Sequence, residues 1–525
     1  MLVGIEEEPT SLRGAILLAA ALAYLFTVGW LLRLNYPVDD SFISFRYAQN
    51  MAGDHGLVYN IGERVEGYTN FLWVMMLAGV ARLGLDLVPW SMGLGLFFAG
   101  LTVLIVWRFA LKTFDLEAGA LWAGVACLLL GTNVCFLSWS YVGMETPLFT
   151  LLLTVSILLF VREVAQERRP VWSPLALAAA ALTRPEAAVL LVLDVIVLCV
   201  ARRQAGKRWA LHAACFVFLF ALITAPYFLW RFHYYGYLLP NTYYVKMGGW
   251  HTTLAARGAM YCLGFCLAYA AWLLGISGIW PAGRRAPFWV KYFGGVAVLW
   301  AAIIIYEGGD YFGMYRFFVP LVPVLALLTA YGTAQWASWF MAGKSAVPAS
   351  PRNERVFRVG IILLLWGLPT LHLTLLTRDL HLSRSASSFA WRCALTGRWL
   401  HSIARPGETL AVFGAGAVPY YSRLYTIDML GLADLHIAHL PVPLGHSMAG
   451  HEKYDSDYII ARRPTYILFG PRATPKPPTE SEVIEKDNFA FASDLARNPG
   501  LRQHYDFKVG EYEGRYFPYY RLRTP

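Results

Sequence analysis

Long runs of apolar residues recur through most of the first 377 residues, and they restrict the chain to a membrane fold. A helix needs about 20 residues to cross roughly 30 Å of hydrocarbon. The chain of 525 residues is 57% hydrophobic and 15% charged, with a mean hydropathy of +0.46, which excludes an ordinary soluble protein. The runs predict a polytopic α-helical membrane protein with about eleven crossings, near 12–34, 89–107, 118–138, 146–162, 171–183, 187–201, 209–230, 257–280, 289–306, 315–341 and 358–377.

Short basic clusters between the runs account for most of the net charge of +10. They follow alternate crossings, as the positive-inside rule requires, so the N-terminus is predicted to be cytoplasmic. The apolar stretch 71–83 would break this alternation if it crossed, and it is therefore predicted to lie along the outer interface or to re-enter. The first run has no small-residue cleavage site and is expected to be an anchor. We expect no binding to nucleic acid, because no basic stripe with interleaved aromatics is left outside these clusters.

Residues 378–525 have an ordinary globular composition and are predicted to lie outside the cytoplasm, after the membrane module 1–377 with its first outer loop at 35–88. Loop 414–417 follows a predicted strand but lacks the third glycine and the acid of a dinucleotide-binding turn, so a tight turn is the better interpretation. A small α/β domain is predicted from a helix near 385–403, β-like runs at 409–413, 425–427 and 466–469, and an aromatic hairpin within 505–520.

Two adjacent acids stand in the longest outer loop. Asp39 and Asp40 follow the first crossing, where mutual repulsion and a low dielectric make proton uptake by a carboxylate easier. Such a carboxylate suits a general base. Asp40 is also placed to cap the helix predicted after it, so a structural role competes with catalysis there. Asp39 has no such alternative and is the preferred base.

The remaining outer loops add residues with two interpretations each. Glu145 begins a crossing, where the helix dipole alone favours an acid. Arg184 and Glu186 interrupt an apolar run, and they either line a cavity or pair with each other. Lys246 and Arg316 stand beside aromatics at the outer boundary, where they either anchor the interface or hold a phosphate. The full set of candidate donor-binding residues is Arg46, Tyr47, Glu66, Glu145, Arg184, Glu186, Lys246, Asp310 and Arg316.

Together these residues supply what transfer from a lipid-phosphate sugar requires. Lys246 and Arg316 would hold the leaving phosphate, while a carboxylate of the Asp39–Asp40 pair takes the proton of the attacking hydroxyl. Aromatic faces would pack on the sugar. Outer-loop acids either bind a divalent cation or act without one, so the sequence names no cofactor and leaves a metal open.

Several motifs resemble the GT-C superfamily of polytopic glycosyltransferases. They include Asp-Asp-Ser-Phe-Ile-Ser-Phe-Arg-Tyr-Ala at 39–48 and the stretches 55–60, 62–69, 143–146, 182–186, 308–310 and 428–436. Within that superfamily the chain is most similar to the AftB-like group of terminal β-(1→2)-arabinofuranosyltransferases. The resemblance implies a GT-C fold with juxtamembrane helices in the first outer loop, a polyprenyl-phosphate sugar donor, and inverting transfer with Asp39 or Asp40 as base.

The resulting hypothesis is a glycosyltransferase of the bacterial inner membrane that carries a sugar, with arabinofuranose as a candidate, to a glycan or lipid of the cell envelope. A lipid or glycolipid transporter is one alternative, although the sequence shows no internal repeat of the kind that transporters often have. A non-catalytic envelope scaffold with the same fold is the other.

Overall fold

The computed structural model describes residues 8–32, 36–114, 118–200, 208–248, 252–342, 377–470, 473–486 and 489–523. Short 3₁₀ helices occupy Pro185–Ala188, Trp280–Arg285 and Arg316–Leu321. The α-helices of the membrane part are α1 (Glu8–Leu32), α2 (Asp39–Ala52), α3 (Phe71–Arg82), α4 (Leu87–Thr113), α5 (Gly119–Gly131), α6 (Val134–Trp139), α7 (Thr146–Ala165), α8 (Trp172–Thr183), α9 (Val189–Val200), α10 (Arg208–Tyr235), α11 (Asn241–Lys246), α12 (Thr252–Ala268), α13 (Ala270–Ser277), α14 (Phe288–Glu307) and α15 (Val322–Ala342).

Helices long and apolar enough to cross a membrane confirm a multi-pass membrane protein. The crossing predicted at 358–377 falls almost entirely outside the described residues. Within the described ranges there are six such segments: Leu12–Gly29, Leu87–Thr113, Thr146–Ala165, Trp209–Tyr235, Phe288–Glu307 and Arg316–Trp339.

Other predicted crossings consist of shorter helices that break at identifiable residues. The run 118–138 is divided into α5 and α6 because the Asn133 side chain caps α6, accepting a hydrogen bond from the Phe136 N–H at 2.9 Å. Helix α8 ends at Thr183 because Arg184 precedes Pro185 and is held in an extended conformation (φ −152°, ψ 123°). These breaks place polar residues inside the bundle.

Helices α2 and α3 lie within residues 35–88, the segment predicted to be the first outer loop. Helix α3 has 12 residues and is about 18 Å long, which is too short to cross the hydrocarbon. It packs on α2, α4 and α8. This length agrees with the interfacial or re-entrant placement predicted for 71–83.

The C-terminal part is a small α/β domain, as predicted. Strands β1 and β2, and β1 and β3, pair in parallel, whereas β5 is antiparallel to both β3 and β4. The sheet order is β2-β1-β3-β5-β4. The boundary predicted between 377 and 378 lies at the edge of the described residues and stays a prediction. The elements are α16 (Thr377–Ile403), β1 (Thr409–Val412), α17 (Ala417–Ser422), β2 (Tyr425–Asp428), α18 (Leu435–Ala438), α19 (Ser456–Ala461), β3 (Tyr466–Leu468), α20 (Glu480–Lys486), α21 (Ala490–Arg497), α22 (Pro499–His504), β4 (Tyr505–Tyr512) and β5 (Arg515–Leu522).

The sheet packs directly on the first outer loop. Successive residues of a strand point to opposite faces, and in β1 the side chains of Leu410 and Val412 join the apolar cluster that contains Phe42 of α2. Ala411 instead joins a separate cluster on the other face of the sheet. Because one continuous core includes both α2 and the sheet, the domain fixes the position of the first loop.

Candidate functional site

A cavity of about 570 Å³ lies where the outer loops meet the ends of the membrane helices. Its wall includes residues of α2, the segment 66–70, the turn after α8, α10, α11 and the loop after α14. Leu432 and Ala449 of the C-terminal domain complete the wall. The charged residues that line it are Asp40, Glu66, Glu145, Glu186, Glu307, Asp310, Arg184, Arg231, Lys246 and Arg316.

The two adjacent acids point to different places. Consecutive residues of a helix are rotated by about 100°, so Asp40 lines the cavity while Asp39 contacts the C-terminal domain. The Tyr311 hydroxyl donates to Asp40 Oδ2 at 3.3 Å. The N-cap of α2 is Val38, without a side-chain capping bond. The capping role that competed for Asp40 is therefore not observed in the described residues.

Asp39 is held by the main chain of the domain. The Ala417 N–H donates to Asp39 Oδ1 at 2.9 Å. A Cβ on Gly416 would lie 2.6 Å from Asp39 Oδ2 and 2.0 Å from its carbonyl oxygen, so this close approach requires glycine. Burial raises the pKa of Asp39 to about 6, opposed by the Ala417 hydrogen bond and increased by the neighbouring Asp40. Loop 414–417 thus serves as a docking turn for α2.

Lys246 and Arg316 face the same cavity with different partners. Arg316 Nε lies 2.7 Å from Asp310 Oδ2, and its guanidinium lies over the Phe312 ring at 4.9 Å. Among the described residues, no hydrogen bond or ion pair is formed by Lys246. Burial lowers the pKa of Lys246, and the Asp40 carboxylate opposes that shift. Lys246 is therefore the cation most available to a ligand.

Arg184 joins two acids in the wall of the cavity. Its Nη1 donates to Glu145 at 2.9 Å and its Nη2 to Glu186 at 2.6 Å. The Asn70 side chain also donates to Glu145 at 2.9 Å. Both interpretations given for Arg184 and Glu186 therefore hold, since the two residues pair with each other and also line the cavity.

Arg46 and Tyr47 were predicted as donor-binding residues, but neither lines the cavity. Arg46 donates to four oxygens, which belong to Tyr59, Asn60, Pro419 and Leu424, at 2.6–2.9 Å. The Tyr47 hydroxyl donates to the Val65 carbonyl at 2.6 Å and accepts from the Gly67 N–H at 2.8 Å. Both side chains are buried and fully engaged, so the geometry favours a structural role for them.

Two residues that the sequence did not single out belong to the site. Arg231, near the end of α10, pairs with Glu66, whose two carboxylate oxygens both lie 2.8 Å from Arg231 Nε. The sequence signal that could have identified Arg231 is a cation directly after the crossing predicted at 209–230. Tyr311 follows the predicted Asp310 directly and contacts Asp40.

The described residues contain no group of three or more His, Cys, Asp or Glu side chains arranged to hold a metal ion. The side chains of Glu66, Glu145, Glu186 and Asp310 are instead paired with arginines. The sequence left a divalent cation open, and this arrangement supplies no set of ligands for one within the described ranges.

Comparison with known proteins gives the fold. A family profile described as a domain of unknown function (DUF8728) matches residues 385–515. No curated protein matches the sequence.

Solved structures of ArnT and of an archaeal oligosaccharyltransferase are similar to this chain. ArnT from Cupriavidus metallidurans, in a structure with bound undecaprenyl phosphate, is 15% identical with a TM-score of 0.56, over 96% of this chain and 97% of that one. The oligosaccharyltransferase of Archaeoglobus fulgidus, in a structure tethered to an acceptor peptide, is 12% identical with a TM-score of 0.53. The match covers 97% of this chain and 74% of that one. A structure of the oligosaccharyltransferase AglB from Archaeoglobus fulgidus contains an inhibitory peptide and a dolichol-phosphate. It is 11% identical with a TM-score of 0.50, and the match covers 96% of this chain and 74% of that one. The chain therefore has the GT-C fold, with a C-terminal α/β domain, as the sequence predicted.

Proposed function

We propose that this protein is a glycosyltransferase that moves a sugar from a polyprenyl-phosphate donor to a glycan or lipid acceptor at the outer face of the bacterial inner membrane. The observation that carries the proposal is that Asp40, Lys246 and Arg316 line one cavity. The cavity, at about 570 Å³, is within the range of small-molecule sites. The solved GT-C structures that contain undecaprenyl phosphate or dolichol-phosphate support a lipid-phosphate donor.

In this proposal the reaction is a single displacement. The acceptor hydroxyl attacks the anomeric carbon, its proton passes to Asp40, and the bond from that carbon to the phosphate oxygen breaks. The charge that develops on the departing polyprenyl phosphate is stabilised by Lys246 and Arg316. Tyr311 orients the Asp40 carboxylate by its hydrogen bond. A single displacement inverts the anomeric centre.

The choice of Asp40 over Asp39 reverses the preference drawn from the sequence. Asp40 lines the cavity, whereas Asp39 accepts a hydrogen bond from the Ala417 main chain. A general base must reach the hydroxyl that it deprotonates. Asp39 is therefore proposed as the residue that fixes α2 against the domain.

The test is transfer from synthetic undecaprenyl-phosphoryl sugars by the purified, reconstituted protein, with product detected by mass spectrometry. Asp40→Asn should lower the rate by about 10²–10⁴-fold, the usual contribution of a general base. Asp39→Asn is the matched control and should retain most of the rate. Full activity of Asp40→Asn would reject the mechanism. Movement of the lipid without a glycosidic bond would favour a transporter.

The sugar and acceptor need a separate experiment. Arabinofuranose is the first sugar to test, because the first-loop motifs resemble the AftB-like group. Mass spectrometry of envelope glycans and accumulated polyprenyl-phosphate sugars in a deletion strain would identify donor and product together. Assays with and without EDTA would decide whether a divalent cation takes part.

A further inference from the structure

The cavity has a second charged group, formed by Glu66 and Arg231. Arg231 is 3% exposed and Glu66 is 4% exposed. Arg231 Nη1 donates to the Leu238 carbonyl at 2.7 Å. Its remaining nitrogen, Nη2, is buried and has no hydrogen-bond partner within the described residues. An unsatisfied buried donor costs about 1–3 kcal/mol, so this nitrogen is a candidate to bind a ligand oxygen.

The position of this pair relative to the phosphate-binding cations is set by α11. The Asn241 N–H, at the start of α11, donates to the Glu66 carbonyl at 2.9 Å, and Lys246 ends the same helix. A helix of six residues rises about 8 Å between its first and last residues. The main-chain positions that carry Lys246 and contact Glu66 thus lie about 8 Å apart along α11, a span comparable to one monosaccharide with its phosphate. Thr242 and Tyr243, which lie between these positions in the helix, line the cavity.

The chemistry of the pair suits hydroxyl groups. Glu66 neutralises the Arg231 charge, so the pair has little net attraction for a phosphate, unlike Lys246. A carboxylate beside a guanidinium offers both acceptors and a donor, which is what the hydroxyls of a neutral sugar require. Tyr68 and Tyr227 line the cavity as well and supply large aromatic side chains with a polar hydroxyl there.

We propose that Glu66 and Arg231 bind the hydroxyl groups of the transferred sugar and select which sugar is accepted. This inference rests on the proposed function, since it assumes a polyprenyl-phosphate sugar in the cavity. A site built to hydrogen-bond a hydroxyl rejects a ligand that lacks it far more strongly than an apolar pocket does. The pair therefore determines specificity, while Lys246 and Arg316 determine phosphate binding.

The experiment compares binding of two kinds of lipid to the purified full-length protein by native mass spectrometry. The probes are undecaprenyl phosphate without sugar, and undecaprenyl phosphate bearing arabinofuranose, mannose or glucose. The wild-type protein should bind one sugar-bearing lipid more tightly than the bare lipid. The double substitution Glu66→Gln/Arg231→Gln replaces both partners, because one unpaired buried charge would destabilise the fold. The double variant should weaken binding of the preferred sugar-bearing lipid by about 10–100-fold and change binding of the bare lipid by less than about twofold.

Lys246→Met is the matched control and should weaken binding of both kinds of lipid equally. If the double variant does not fold, Thr242→Val changes a cavity-lining hydroxyl without moving a buried charge. It should weaken the sugar-bearing lipid alone by about 3–10-fold. Equal losses for both lipids, or no loss, would show that the pair does not recognise the sugar and would overturn the inference, although bare-lipid binding would leave the proposed function standing. A wild-type protein that binds neither kind of lipid would overturn both.

Discussion

The two sides of α2 contain similar charged residues in different surroundings. On the side of the C-terminal domain, Arg46 donates to four oxygens and Asp39 accepts from a main-chain N–H. On the cavity side, Asp40 has one tyrosine donor, and Lys246 has no hydrogen-bond partner among the described residues. The number of partners, more than the type of residue, separates charges that hold the fold from charges available to a ligand.

Arg46→Met should give the largest effect on stability. The substitution removes four buried hydrogen bonds, among them those to the carbonyl oxygens of Tyr59, Pro419 and Leu424, each of which keeps one other donor. A hydrogen bond to a charged group contributes about 1.5–3 kcal/mol. Thermal unfolding in detergent should show a large fall in the transition temperature. A variant as stable as the wild type would mean that the domain contact is not what fixes α2.

Lys246→Met should slow transfer while leaving the stability of the protein nearly unchanged. The removed ammonium has no partner among the described residues, so the unfolding temperature should stay close to that of the wild type. The transfer rate should fall by about 10²–10³-fold, as expected when one group that stabilises developing charge is lost. The check is to measure the rate and the unfolding temperature on the same preparation. A variant that loses stability and activity in parallel would remove the distinction between the two sides of α2.

The sequence predicted the fold better than the directions in which individual side chains point. Long apolar runs predict crossings, and the short apolar run at 409–413 predicts a strand, because both patterns are local. Asp39 and Asp40 are adjacent in the chain, and only contacts with loop 414–417, nearly 380 residues later, decide which one faces the cavity. Arg231 escaped prediction for the same reason, since its partner Glu66 is 165 residues away.

Asp39 predicts a pH dependence of the stability of the protein. Burial raises the pKa of Asp39 from 3.8 to about 6, so its contribution to stability is present below about pH 4 and is lost as the pH rises through 6. The full difference corresponds to about 3 kcal/mol. Asp39→Asn should therefore unfold at a higher temperature than the wild type at pH 7.5, and this advantage should shrink at pH 4.5. An equal difference at both pH values would contradict a raised pKa of Asp39 in the folded protein.

The smallest predicted effect tests whether the C-terminal domain also positions the cavity residue Lys246. The Asn241 amide donates to the carbonyls of Gly431, Leu432 and Asp434 at 2.7–3.2 Å, and this contact fixes the helix that carries Lys246. Asn241→Ala should lower kcat/KM for the donor about tenfold, equivalent to about 1.4 kcal/mol of transition-state stabilisation.

The matched control for Asn241 is Asn60→Ala, because Asn60 joins the first loop to Thr426 of the same domain but does not line the cavity. Each substitution removes buried hydrogen bonds and should cost about 1–3 kcal/mol of stability. Only Asn241→Ala should slow transfer beyond what the loss of folded protein explains. If both variants slow transfer equally at matched folded fractions, the domain acts on the cavity through α2 and not through α11. If neither does, Lys246 holds its position without the domain.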